Sequence, residues 1–116
     1  MTATTSTRVA VTPRPPYYAA ITTTELMQEY DAEEHRVRGL ELLKLARQMP
    51  DFLGLEVFFD GNASVALSYW KTLDAIDEWR RHPIHMAAKN KAKAGWFGPC
   101  ITRIAKIESD YGFNLR

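Results

Sequence analysis

The sequence predicts an α+β fold in the order βαββαβ, with a helical insertion before the last strand. Three observations carry that prediction. A helical apolar stripe ended by Pro50 separates a first strand from a hairpin built on Gly61-Asn62. A short amphipathic helix follows the hairpin after Thr72. The two hairpin strands are apolar on both faces. This element order is the split βαβ, ferredoxin-like arrangement, whose sheet is antiparallel.

The elements follow in turn. Met1 to Thr7 is rich in Ser and Thr with no apolar anchor, and Pro13-Arg14-Pro15-Pro16 enforces an extended approach. A disordered or extended arm is therefore expected over residues 1–12 and one domain over 13–116. Tyr17 to Thr24, aromatic and β-branched, reads as the first strand. Asp31, with Glu34 three residues later, has the form of a capping box. Val37, Leu40, Leu42, Leu43, Leu45, Ala46 and Met49 then recur at helical spacing. Leu53–Asp60 and Ala63–Trp70 are strands around a two-residue turn. Thr72 caps a second helix with Leu73, Ile76 and Trp79 on its inner stripe. Pro83 stops that helix and can open a third, running to about Ala94. Cys100–Ser109 is the last strand, before the tail Asp110-Tyr111-Gly112-Phe113.

Register decides what the sheet needs on each side. With Asp60 opposite Ala63, one face carries Glu56, Phe58, Val65, Leu67 and Tyr69, and the other carries Leu55, Val57, Ala66, Ser68 and Trp70. Apolar side chains on both faces demand a covering layer on each. Helices supply one; a two-fold copy of the same sheet supplies the other, so a homodimer is expected. Tyr69 falls at that interface, and Glu56 is expected to pair with a last-strand cation such as Arg103.

Composition narrows the function classes. At 116 residues, 46% hydrophobic and 25% charged, the chain is one ordinary globular domain. A net charge of +1 gives no electrostatic case for nucleic acid or a membrane surface as partner. The basic run Arg80, Arg81, Lys89, Lys91 and Lys93 reads as a solvated helix face. Cys100, the single cysteine, excludes an intrachain disulfide and reads as a buried, inert thiol. No secretory signal or membrane-length apolar run is visible, so a cytoplasmic location is expected.

The most specific stretch is Ser68-Tyr69-Trp70, then Trp79 with the His82-x-x-His85 spacing. Together with Pro15-Pro16-Tyr17-Tyr18, Phe52-Leu53-Gly54-Leu55-Glu56 and the closing Asp110-Tyr111-Gly112-Phe113, it resembles the antibiotic biosynthesis monooxygenase family. The resemblance runs from about Thr12 to Phe113. It implies a dimeric α+β barrel with a pocket in each subunit between sheet and helices. It also implies oxygenation of a phenolic or quinone-type small molecule by O2, with no cofactor and no metal. Catalytic residues transfer unevenly. Counted from Trp70, the pocket asparagine of the polyketide-oxidising relatives falls at Ala66, their tyrosine at Ile76 and their arginine near Asn90. The haem-degrading relatives share Trp79, but their iron-binding histidine falls at Lys89, and an ammonium cannot serve as an axial ligand.

The candidate site residues are therefore His82 and Trp79 as catalytic, with Trp70, Ser68, Ile76 and His85 binding substrate. The histidines are the groups poised near neutral pH, and either can deprotonate a phenol within hydrogen-bond reach. His82 is preferred as the base; its structural alternative is a cap on the third helix, with His85 on the surface. Two histidines without a neighbouring carboxylate or thiol make a poor metal site. Trp70 and Trp79 suit stacking on a planar substrate, or plain core packing. Ser68 can orient a substrate hydroxyl. Loss of the asparagine and tyrosine counterparts supports a second reading, a non-catalytic binding or stress-related module, and a haem-binding role stands third.

Overall fold

The computed structural model describes residues 9–27, 32–95 and 97–115, without the side chains of residues 32, 92–94 and 97. The capping start at Asp31 and the first eight residues of the arm lie outside that range. The elements are β1 (Tyr17–Leu26), α1 (Ala32–Gln48), β2 (Phe52–Asp60), β3 (Ala63–Trp70), α2 (Leu73–Arg81), α3 (Pro83–Gly95) and β4 (Phe97–Ile107). The strands form one antiparallel sheet in the order β2-β3-β1-β4. This is the α+β, ferredoxin-like architecture the sequence predicts.

The hairpin closes as its residues require. Asp60 pairs with Ala63, and Gly61 stands first in the two-residue loop with φ 62°, the position that type II′ turns reserve for glycine. Asn62 then reaches across to β1. Its carbonyl accepts from the Leu26 N–H at 2.6 Å, and its Nδ2 donates to the Leu26 carbonyl at 3.2 Å. That clamp carries β1 two residues beyond Thr24.

The register puts the two expected residue sets on opposite faces. On the open face, Glu56, Leu67, Ile21 and Arg103 form one row across the four strands. Two strands separate Glu56 from Arg103, about 14 Å at the usual strand spacing, so the expected ion pair does not form within the chain. Glu56 instead accepts from the Tyr69 hydroxyl at 2.6 Å and the Ala10 N–H at 2.9 Å. Burial, then donation to Glu56, pushes the Tyr69 phenol well above its ordinary value. Ala10 thus ties the arm across this end of the face; a Cβ added at Gly54 would come within 3.0 Å of the Ala10 Cβ.

Cys100 also differs from expectation. It is exposed, because β4 is an edge strand, and its Sγ lies 3.3 Å from the Thr24 hydroxyl. On the other face the helices cover a core of Trp70, Ala20, Ala46, Ala75 and Ile76. Three alanines let helix and sheet backbones approach there. Anchoring α1 through Ala46 turns His35, Arg38, Gly39 and Leu42 toward the sheet and leaves Val37 and Leu40 exposed. The apolar stripe is therefore narrower than its hydrophobic count suggests.

Thr72 caps α2 as expected, its side chain accepting from the Ala75 N–H at 3.0 Å. Thr72→Ala should lower stability by about 1 kcal/mol, the usual worth of such a cap. Urea denaturation should show an earlier midpoint at unchanged slope; an unmoved midpoint would show that the cap contributes nothing.

Candidate functional site

A cavity of about 500 Å³ lies between the helix-side face of the sheet and the three helices. Its walls are mainly apolar with a few polar groups, the usual make-up of a small-molecule site. Trp70, Ser68, Ile76, Trp79 and His85 all line it; His82 does not. Ala66, at the relatives' asparagine position, also lines it.

Trp70 ends β3 and is wholly buried. Phe52 stands edge-on to it, with ring centroids 5.2 Å apart. On the other side Trp79 lies at 5.9 Å and 31°. The indole Nε1–H of Trp70 is buried and has no hydrogen-bond acceptor among the described residues. A buried donor left unpaired costs roughly 1–3 kcal/mol, so the site holds a standing preference for an acceptor.

The two histidines part company around Pro83. His82 closes α2, and its backbone carbonyl accepts the first helical bond of α3, from the Met86 N–H at 2.9 Å. Its Nδ1 accepts from the Ile84 N–H at 3.2 Å, which makes it the N-cap of α3. That bond engages the Nδ1 lone pair, and the ring does not border the cavity.

His85 sits one turn further on and stacks on Trp79, with centroids 4.4 Å apart and planes 18° apart. Its Nδ1 lies 3.0 Å from the Trp79 carbonyl oxygen. A carbonyl only accepts, so Nδ1 carries the hydrogen and Nε2 keeps the lone pair. Burial pulls the His85 pKa below its ordinary value of 6.5. The Trp79 carbonyl opposes that shift, while the charges of Lys89 and His82 reinforce it. The ring is therefore a neutral imidazole at pH 7, its tautomer set by the Trp79 carbonyl and its plane by the Trp79 ring.

The lining also includes two ionisable residues of α1, His35 and Arg38, that the hydrophobic pattern passes over. His35 meets Phe59 edge-on at 6.1 Å, and burial lowers its pKa. Arg38, one turn later on α1, borders the same space. The spacing 35-38-42-46 was the available signal, hidden because two of its members are polar. Arg80 and Lys89, read as solvated, also line the cavity. Arg80 and Arg81 both pair with Asp77, at 2.8 and 2.7 Å. Lys89, which stands at the iron-ligand position of the haem-degrading pattern, lines the cavity, and an ammonium cannot ligate iron there.

Comparison with known proteins agrees with this architecture. No family model matches the chain. Among solved structures, an antibiotic biosynthesis monooxygenase superimposes with a TM-score of 0.67 at 16% identity, over 76% of this chain and 95% of that one. A dimeric protein of unknown function and ferredoxin-like fold from Bacteroides fragilis gives 0.59 at 16% identity, over 82% and 100%. The fold is that of the dimeric ferredoxin-like α+β barrels to which the antibiotic biosynthesis monooxygenases belong. Over 98 residues the chain is 36% identical to the uncharacterized protein YqjZ of Bacillus subtilis, with 84% of each chain covered. It belongs to the YqjZ family.

Proposed function

We propose that the chain is a homodimeric, cofactor-independent monooxygenase acting on an electron-rich aromatic molecule, phenolic or quinone-type, with His85 as the base. The observation that supports this best is the buried, unpartnered Trp70 Nε1–H on the wall of an apolar cavity that the neutral His85 imidazole also lines, with Trp79 packed against both rings. A ring oxygen answers both groups. Trp70 donates to it, and Nε2 of His85 removes its proton. The resulting phenolate is electron-rich enough to react with O2; a phenol and O2 give a quinone and water, all four electrons coming from the substrate. The base role expected of His82 passes to His85, because the His82 ring does not border the cavity and its Nδ1 lone pair already holds the Ile84 N–H. Trp79 is a positioning residue, fixing the plane and tautomer of His85. Ser68 and Ile76 shape the wall.

A second reading, a binding module without turnover, draws support from Ala66 and Ile76, which give the cavity apolar walls where the resembled oxygenases carry an asparagine and a tyrosine. Oxygen uptake with naphthols and naphthalenediols separates the two. His85→Ala should lower kcat/KM by about a hundred- to ten-thousand-fold, the usual range for a general base. His82→Ala should leave turnover intact. The neutral imidazole is the active form, so activity is lost as pH falls through the His85 pKa. With that pKa lowered, the half-maximal point should lie below pH 6.5. Binding of a naphthol with no oxygen uptake at any pH would favour the second reading.

The dimer rests on surface that one chain leaves uncovered. Phe58 and Ile101 on the open face are 40% and 48% exposed, and Tyr111 and Phe113 of the tail stand almost entirely in solvent. Light scattering should give twice the 13.3 kDa of one chain at micromolar concentration. Leu67→Lys, which sets an ammonium in the middle of that face, should yield monomer, since a buried unpaired charge is costly. A wild-type monomer would remove both the interface and the barrel.

A further inference from the structure

We infer that the aromatic ligand carries an anionic group, a carboxylate in the first instance, and that Arg38 is its anchor, with Lys89 on the facing helix as second cation. The inference rests on the cavity's being a site for an aromatic ring, and it adds the ligand's charge.

The charge of the lining is one-sided. Arg38, Arg80 and Lys89 border the cavity together with His35 and His85, and no aspartate or glutamate does so among the described residues. Arg80 already has a partner in Asp77 at 2.8 Å, and its side chain is largely exposed. Arg38 is not. Its Nε is buried without an acceptor, and its guanidinium makes no ion pair among the described residues. The carboxylate one turn before it, Glu34, turns away to Lys91 Nζ at 3.2 Å, and Glu33 holds Arg36 at 2.6 Å. Of the two acids within one turn of Arg38 on its own helix, Glu34 is thus committed elsewhere, and Glu41 forms no ion pair with Arg38 among the described residues. A guanidinium stays charged at any working pH, and leaving it half-buried and unpaired is costly. Its planar fork matches a carboxylate through two parallel hydrogen bonds.

Lys89 has the same character. It is half-buried, lines the cavity and has no carboxylate partner among the described residues. Its charge is felt at His85 one turn earlier on α3. The Glu34–Lys91 bridge ties α1 to α3, so Arg38 and Lys89 rise from two joined walls. A ligand with its ring oxygen at Trp70 and a carboxylate toward these cations satisfies both unpartnered donors of the cavity, the Trp70 and Arg38 nitrogens.

Two ligands differing only in that group test it: 6-hydroxy-2-naphthoate and 2-naphthol, titrated calorimetrically into the wild-type protein. The acid should bind about tenfold or more tightly, as charge-assisted hydrogen bonds imply. Arg38→Gln should bring the two affinities together by weakening the acid alone, while Arg81→Gln, on the outer surface, should leave their ratio unchanged. Independently of any variant, raising salt from about 0.05 to about 0.5 M should shrink the ratio. Equal affinities in the wild type, or a ratio insensitive to Arg38→Gln, would overturn the anion site while the aromatic cavity stands. Failure of both ligands to bind would overturn the cavity reading too. Neither measurement depends on turnover, so absence of oxygen uptake leaves this result readable.

Discussion

The cavity is organised by one large side chain with one unsatisfied atom. Trp70 closes β3 at the point where the chain leaves the sheet, and it is wholly buried in a cluster with Ala20, Ala46, Ala75 and Ile76, with Phe52 and Trp79 packed against its ring. Three of those neighbours are alanines, which is why the helices come close enough to bury an indole. Its burial sets where α1 and α2 sit, and so where the free space begins beyond them. The same burial strips its N–H of water without supplying an acceptor among the described residues. Packing and recognition are thus two consequences of one placement.

The second constraint is the break at Pro83. Proline there ends one helix and opens the next, so the residue before it must cap both. His82 takes up that task. His85, three residues on, falls on the inner side of α3, against the ring and carbonyl of Trp79. Two histidines of equal chemical promise are separated by backbone geometry alone, one becoming a cap and the other a neutral imidazole bordering the cavity.

Much of this was legible in the sequence. Gly61-Asn62 fixed the hairpin, and the pairing of Asp60 with Ala63 assigned every residue of β2 and β3 beyond the bulge to its face. That register put Ser68 and Trp70 on one face, the family resemblance added Ile76 and Trp79, and the ordinary pKa of histidine added His85; all five line the cavity. What was hidden depended on tertiary placement. The inner face of α1 includes His35 and Arg38, which a hydrophobic count passes over in favour of Val37 and Leu40. Glu56 finds Tyr69 and the Ala10 amide because two strands stand between it and Arg103. Cys100 is exposed because β4 lies at the sheet edge, which local composition does not reveal.

The central claim is that the Trp70 indole N–H awaits a ligand oxygen. Proton–nitrogen correlation spectra of the indole groups test it directly, with Trp70→Phe to assign the signal. On addition of 2-naphthol the Trp70 resonance should move downfield in both dimensions, as a newly formed hydrogen bond requires, and the shift should saturate with the ligand. Saturable binding with the Trp70 resonance unmoved would contradict the account, since the ring oxygen would then lie elsewhere.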